Sequence, residues 1–337
     1  MPTSQLNLTN NIDVSKLSQG RGNSIRDTPA RKVFKVFNYI FLLALGLVCL
    51  VPLWHIAMLS FSNPTLIQRN TGLVLWPLGL APFSGGQVNQ QTGVPLTATL
   101  AGYQVVLSNA ALIRGYANTI FYVGAGCFLS ILFGAVGAYC VSRKNTLFMM
   151  PLLAVIMVSM FFNGGLVPTY MVYKGLGMVN TRWSLILNGM LNIMNIIILM
   201  TAFRGLPDGL EESAQLDGAG HMTMLFKIAL PLCKASIAVI ALFYAIGKWN
   251  DYLQAAIYVN GKRALYPLQL IIRDILTQPT SPTGMEVDIA SSIGPANEGR
   301  ALVEYTTIMF STVPLLCFYP FIQKYFVKGI MIGSIKG

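Results

Sequence analysis

The run EESAQLDGAGHMTMLFKIALP, residues Glu211 to Pro231, is out of keeping with its chain. Its surroundings are largely apolar, yet Asp208, Glu211, Glu212 and Asp217 fall within ten residues. Asp208 is placed to cap a helix start, with Glu211 three residues on, as in a capping box. Glu211 and Glu212 occupy the first turn, where the helix dipole favours anions. Gly218 lets the chain turn without steric cost. Beyond it, Met222, Leu225, Phe226 and Ala229 recur at helical spacing and mark an apolar face. Pro231 breaks or kinks the run. The stretch predicts two short helices joined at a glycine. Two roles fit: a linker resting on a membrane surface, or an element that docks on another protein. Anionic lipid head groups attract basic helices, so the acidic first helix favours docking.

The rest of the chain says where such an element sits. Of its 337 residues 54% are hydrophobic and only 10% charged, against about a quarter charged in soluble domains. That balance predicts a membrane protein. The formal charge is +11, but most basic residues flank apolar runs and read as topology signals, not as a nucleic-acid surface. Cys49, Cys127, Cys140, Cys233 and Cys317 have no motif spacing, and His55 and His221 lie far apart. Neither a disulfide framework nor a metal site is expected. The polar start is too long for the n-region of a cleavable signal. Gly247-Lys248 and Gly261-Lys262 are followed by Trp249 and Arg263, so no phosphate-binding loop is expected.

Six runs are long enough to cross a bilayer core of about 30 Å: 39–60, 117–142, 147–173, 183–203, 235–259 and 302–327. The fold class is therefore all-α and polytopic. With both termini inside, fourteen Lys and Arg face the cytoplasm against eight outside, the latter spread over longer loops. The positive-inside rule supports that orientation. Trp54 and Trp183 then fall at outer helix ends. Residues 1–31 read as a flexible cytoplasmic tail ahead of a membrane domain, 32–337. The outer loops are 61–116 and 260–301, the second with the turn-prone TQPTSPTG. The acidic stretch lies in an inner loop, 204–234. No inverted repeat joins the two halves, which speaks against a secondary transporter.

Polar groups inside spans mark functional candidates. Lys248 and Asp251, beside Trp249 and Asn250, are three apart, and Tyr244 lies four before Lys248 on the same face. Two readings stand: Lys248 and Asp251 pair to hold the bundle, or the stripe meets a sugar through hydroxyl hydrogen bonds and ring stacking. Asn188, Asn192 and Asn195 are spaced four and three, a polar edge that either glues helices or lines a wet pathway. Asn163-Gly164-Gly165 and Pro168 predict an irregular helix, which is tolerated where it is buried or lines a cavity.

The opening stretch also carries a family resemblance. Glu212-Ser213-Ala214, Gly218, Ile228 and Leu230-Pro231 match the spacing of the EAA signature of ATP-binding-cassette (ABC) importer permeases, with Ser213 for the first alanine. The runs LPDGLEESAQLDGAG, LFYAIGKWNDY and YPFIQKYFVKGIMIGSIKG resemble the second permease of maltose-type carbohydrate importers, in the branch of Gram-positive complex-oligosaccharide systems. The likeness covers about residues 32 to 337. The tail and an insertion around 81–99 fall outside it.

The resemblance implies a type I importer fold with six spans in a bacterial cell membrane. It implies a coupling helix gripped by a separate ATPase, with Glu211, Glu212, Ser213, Ala214, Asp217, Gly218, Ala219, Ile228, Leu230 and Pro231 at the docking site. It places sugar contacts on Tyr244 to Asp251. The implied partners are a second, homologous permease in a heterodimer, two ATPase subunits that carry ATP and Mg, and an extracellular sugar-binding lipoprotein. The long outer loops would face that lipoprotein, and the C-terminal KGIMIGSIKG would lie near the ATPases. The chain itself would bind no cofactor and hydrolyse nothing. Rival readings are the same architecture with a modified peptide or polyol as cargo, or an ion-coupled transporter with Lys248 and Asp251 as its relay. A membrane-embedded enzyme lacks a nucleophile, metal or paired-acid constellation.

Overall fold

A computed structural model describes residues 28–80, 95–143, 149–162, 164–277 and 296–334. The tail to residue 27, most of the insertion (81–94), Lys144, Asn163, the turn-prone run after Thr277 and residues 335–337 lie outside the described residues. The chain divides into two compact units, Met1–Trp54 and His55–Gly337. The helices, in order, are α1 (Pro29–Ser60), α2 (Pro64–Arg69), α3 (Ala101–Ser108), α4 (Ala110–Ser142), α5 (Met149–Phe161), α6 (Leu166–Gly175), α7 (Arg182–Leu187), α8 (Ile193–Arg204), α9 (Asp208–Leu216), α10 (His221–Leu232), α11 (Lys234–Trp249), α12 (Tyr252–Tyr258), α13 (Leu268–Thr277) and α14 (Ala296–Ser334).

In the first unit α1 begins at Pro29, so Pro29, Ala30 and Arg31 belong to the helix and not to the tail. Proline suits a first helical position because its missing N–H has no intrahelical partner there. Phe34, Leu43, Leu47 and Val48 are all exposed. An apolar helix that is greasy all round is a membrane span.

By length and composition α1 and α4 can each cross a membrane as single helices, and among the described residues there are up to five spans if each bent helix pair is taken as one. Three of the expected spans are interrupted. The expected 147–173 is α5 and α6, with Gly165 at φ +84 between them. The expected 183–203 is α7 and α8, and the expected 235–259 is α11 and α12. The expected 117–142 is the single helix α4, which starts seven residues early because Asn109 accepts from the N–H groups of Ala111 and Leu112. α14 starts earlier than expected as well, at Ala296. The expected outer loops, 61–116 and 260–301, carry the short helices α2, α3 and α13.

The core at the expected inner end joins α4, α8, α9, α10 and α11 through Ala138, Tyr139, Leu199, Phe203, Ala214, Leu225 and Ile240. In a second cluster, at the expected outer end, Val106 and Leu112 pack on Leu268 and Ile272. α4 lies against α8 and α11 along its length. Its buried face is rich in small residues, among them Gly115, Gly126, Ser130, Gly134 and Ala138. Small residues let helix backbones approach closely where lipid offers no hydrophobic drive for association.

Candidate functional site

The acidic stretch forms the two helices its pattern predicts, α9 and α10, between α8 and α11. The axes turn by 74° from α8 to α9 and by 86° from α10 to α11. The joint between α9 and α10 is a complete Schellman turn. Ala219 N–H donates to Ala214 O at 2.8 Å and Gly218 N–H to Gln215 O at 3.0 Å, with Gly218 at φ +79. Ala214 is buried at the inner core, and Ala219, Ile228 and Leu230 pack against the same cluster.

Three local expectations change. The residue ahead of α9 is Pro207, and Asp208 lies inside the first turn, so the capping box does not form. Pro207 is extended (ψ 132), which ends the preceding chain before Asp208 reaches a capping position. The buried face of α10 is Met224, Leu225 and Ala229, whereas Met222 is 64% and Phe226 45% exposed. Residues Met224–Ala229 are π-helical, and i→i+5 hydrogen bonds widen the turn and rotate the face. The sharp bend falls at Cys233, two residues after Pro231.

The four carboxylates are not equivalent. Glu211 turns inward and forms an ion pair with Arg143, the residue that ends α4. The Arg143 guanidinium lies 4.3 Å from the ring centre of Tyr139, which meets Phe203 edge-on. Arg204 donates to Val141 O at 3.0 Å. Glu212, Ser213 and Asp217 are exposed, as is Leu216, at 89%. Leu216 is four residues after Glu212, so one face of α9 presents a carboxylate and an apolar knob together. Behind this face lies a cavity of about 1010 Å³ lined by Tyr139, Arg143, Phe203, Glu211 and His221, among others. Tyr139 Oη and Arg143 Nε are buried there without a hydrogen-bond partner among the described residues. Arg143 and Leu216 escaped the sequence reading. Arg143 looks like one more topology charge, and Leu216 like part of an ordinary helix; only its spacing from Glu212 was a signal.

The second candidate region lies where two spans break. The asparagines do not form one continuous edge. Asn188 ends α7, Gly189 takes φ +66, and Asn192 starts α8 with its side chain accepting from Asn195 N–H at 3.2 Å. A helix end inside the protein leaves carbonyls without partners. Lys248 supplies them: its Nζ donates to Leu185 O at 2.6 Å, to Ile186 O at 3.2 Å, and to Asn188 O. Tyr244 Oη accepts from Asn192 N–H at 3.2 Å. A lysine at a helix carboxyl end also complements the dipole. Gly126 on α4 makes room, since a Cβ there would lie 3.1 Å from Lys248 Cε.

Tyr244 and Lys248 thus share a face as expected, but Asp251 does not join them. α11 ends at Trp249, and Asp251 caps α12 by accepting from Gln254 N–H at 3.3 Å. Among the described residues no ion pair links Lys248 to Asp251, because the three carbonyls hold the ammonium. Trp249 packs edge-on against Tyr116, with ring centres 5.8 Å apart. Asn250 is exposed, its amide donating to Ile246 O at 3.0 Å.

The chain is similar along nearly its whole length to known proteins. It is 34% identical to Protein LplC of Bacillus subtilis over 94% of this chain and 99% of that one. It is 32% identical to the polygalacturonan/rhamnogalacturonan transport system permease protein YtcP of the same organism, over 91% of this chain and 99% of that one. Among solved structures, a chain of a bacterial ABC transporter involved in the import of the acidic polysaccharide alginate superposes with a TM-score of 0.76 at 26% identity, covering 89% of this chain and 99% of that one. No protein-family profile matches.

Proposed function

Because the chain belongs to the permease subunits of carbohydrate ABC transporters, we propose that α9 is its coupling helix and that the cargo is an oligosaccharide. The membrane helices form the translocation path. ATP and Mg are bound and hydrolysed on two separate ATPase subunits, and a second, homologous permease completes the path as a heterodimer. An extracellular sugar-binding lipoprotein delivers the cargo to the outer loops. Both termini lie in the cytoplasm of a bacterial cell membrane.

The division of α9 into two faces is the observation that carries this reading. Ala214 is anchored in the core while Glu212, Ser213, Leu216 and Asp217 face outward. The outward face offers a carboxylate for a basic group of the ATPase cleft and an apolar knob for a pocket beside it. Ala219, Ile228 and Leu230 pack on the core and hold this face in place, and Gly218 and Pro231 are exposed beside it. Hydrolysis displaces α9, and the packed core passes the motion to the spans.

The cargo pathway runs past the two helix breaks, 188–192 and 250–251, which meet at Lys248. Irregular backbone at membrane depth belongs where it lines a cavity. Asn188, Asn250 and Asp251 supply polar groups there, and Trp249 the ring. Tyr244, Lys248, Asn192 and Asn195 shape the breaks. Two of the similar proteins are named for polygalacturonan/rhamnogalacturonan and for the acidic polysaccharide alginate, and another for melibiose, raffinose and stachyose. The discriminating experiment is uptake and binding-protein-stimulated ATP hydrolysis by the assembled complex, with oligogalacturonides and raffinose as probes. Stimulation by either sugar supports the oligosaccharide reading and fixes its charge class. Uptake that persists without ATP and collapses with the proton gradient would overturn it in favour of an ion-coupled transporter.

A further inference from the structure

Most paths from the inner to the outer face of this chain are interrupted. The covalent route from the coupling loop to α13 passes the 86° bend before α11, the break at Asn250–Asp251 and the turn at Gly261, where φ is +96. α14 carries Pro314 and Pro320. α4 is different. It is a single helix of 33 residues with no proline, about 50 Å long at 1.5 Å per residue. Sharp kinks arise at prolines, Gly/Ser pairs, π-bulges or inserted groups. α4 contains glycines and serines yet runs as one α-helix from Ala110 to Ser142, the form that carries displacement along its axis.

Its two ends are fastened by side chains to the elements beyond them. At the inner end Arg143 holds Glu211 of α9. At the outer end three side chains from little more than one turn grip the chain leading into α13. Asn118 Nδ2 donates to Ala264 O at 2.8 Å and to Tyr266 O at 3.1 Å. Tyr122 Oη donates to Leu265 O at 2.9 Å. Thr119 Oγ1 accepts from Leu268 N–H at 2.8 Å. Asn118 and Thr119 are 4% and 1% exposed, so these bonds are shielded from competing water. The glycine at 115 lets α13 sit directly on α4, since a Cβ there would meet Ile271 Cδ1 at 2.5 Å.

We propose that α4 is a connecting rod between the coupling helix and the outer loop that bears α13, with Arg143 and Asn118 as the positioning residues at its ends. The proposal rests on the assignment of α9 as the coupling helix. Displacement of α9 by the ATPases pulls on Arg143, α4 moves as one body, and the 264–268 turn moves with it. Because coupling between two sites is reciprocal, a partner that presses on the outer loop changes the ATPase through the same rod. Rigid elements and hydrogen-bonded chains with two arrangements are physical carriers of such coupling.

The experiment uses the assembled complex in nanodiscs, without native cysteines, with two pairs of spin labels read by pulsed dipolar spectroscopy. Leu210→Cys with Met150→Cys reports the coupling helix. Thr277→Cys with Asn70→Cys reports the outer loop. Vanadate trapping with Mg-ATP should shift both distances in the parent. In Arg143→Ala the inner shift should persist and the outer shift should be clearly reduced. Asn118→Ala with Thr119→Val and Tyr122→Phe, which removes the side-chain bonds at the opposite end, should do the same, so either variant decides if the other fails to assemble. Exchanging the charges, Arg143→Glu with Glu211→Arg, should restore the outer shift. An outer shift of full size in Arg143→Ala or in the triple variant overturns the rod. An inner pair that does not move in the parent removes the coupling-helix assignment, and the rod with it, and is told apart by the absence of any shift before mutation.

Discussion

The ammonium of Lys248 lies 2.6 Å from the carbonyl oxygen of Leu185, at the carboxyl end of a helix on a different span. With Ile186 and Asn188 completing its set, all three of its donors are spent on backbone. The charge clasps the end of a helix where its span is broken.

Replacing Lys248 with Met should therefore cost stability before it costs specificity. Hydrogen bonds to charged groups are worth about 1.5–3 kcal/mol, so a loss of roughly 2–3 kcal/mol is expected once the stranded carbonyls relax. Thermal unfolding in detergent should register it. A variant with parental stability that loses only transport would return Lys248 to the cargo site. Gly126→Leu, which crowds the same ammonium stem, should produce the same destabilisation from the opposite helix.

The two adjacent glutamates should separate cleanly. Glu212→Ala removes a docking carboxylate, and truncating one partner of a buried interfacial pair costs about 2–5 kcal/mol. Co-purification of the ATPase should fall accordingly, with membrane insertion intact. Glu211→Ala breaks a partly exposed pair within the chain, worth about 0–1 kcal/mol, and should leave ATPase capture near the parental level.

Leu216→Ser should also weaken ATPase capture, by about 1.5–3 kcal/mol, the scale of burying one leucine. The two effects differ in salt dependence. A partly desolvated charge pair still weakens as ionic strength rises, whereas the contribution of Leu216 should persist. Equal salt sensitivity in the Leu216→Ser and Glu212→Ala variants would contradict the two-part face.

Gly218→Ala should destabilise the coupling loop although open space surrounds it. The cost lies in the left-handed backbone at φ +79, about 1–2 kcal/mol for a residue with a Cβ. Gly218→Asn, which tolerates that region, should recover most of the transport lost in Gly218→Ala. Equal transport in both would show that the Schellman turn is not limiting.

Tyr122→Phe removes a single bond of about 1 kcal/mol and leaves the ring in place. Trypsin should then cut faster at the exposed Lys262 and Arg263, next to the turn that Tyr122 holds. Unchanged cleavage would mean that Asn118 and Thr119 hold that turn unaided.

The acidic two-helix elbow was legible because its rules are local. Gly218 announces a turn within five residues, and Ala214, Gln215 and Ala219 close it by backbone bonds alone. The spans were legible because hydrophobic length is a property of consecutive residues. Their interruptions were not. Asn188 to Asn195 reads as one amphipathic edge, and nothing near those residues tells that a lysine will stabilise a break.

By itself, then, the sequence determined an all-helical polytopic membrane chain, an acidic two-helix elbow within it, and the glycine on which it turns. Each of these depends on interactions reaching a few residues, or on apolar length. Only the tertiary structure decided which carboxylate faces outward, that Arg143 grips Glu211 across 68 positions, and that Lys248 serves Leu185 across 63. Such partners are chosen by which helices pack side by side, and a buried charge or carbonyl takes whatever partner that packing brings within reach.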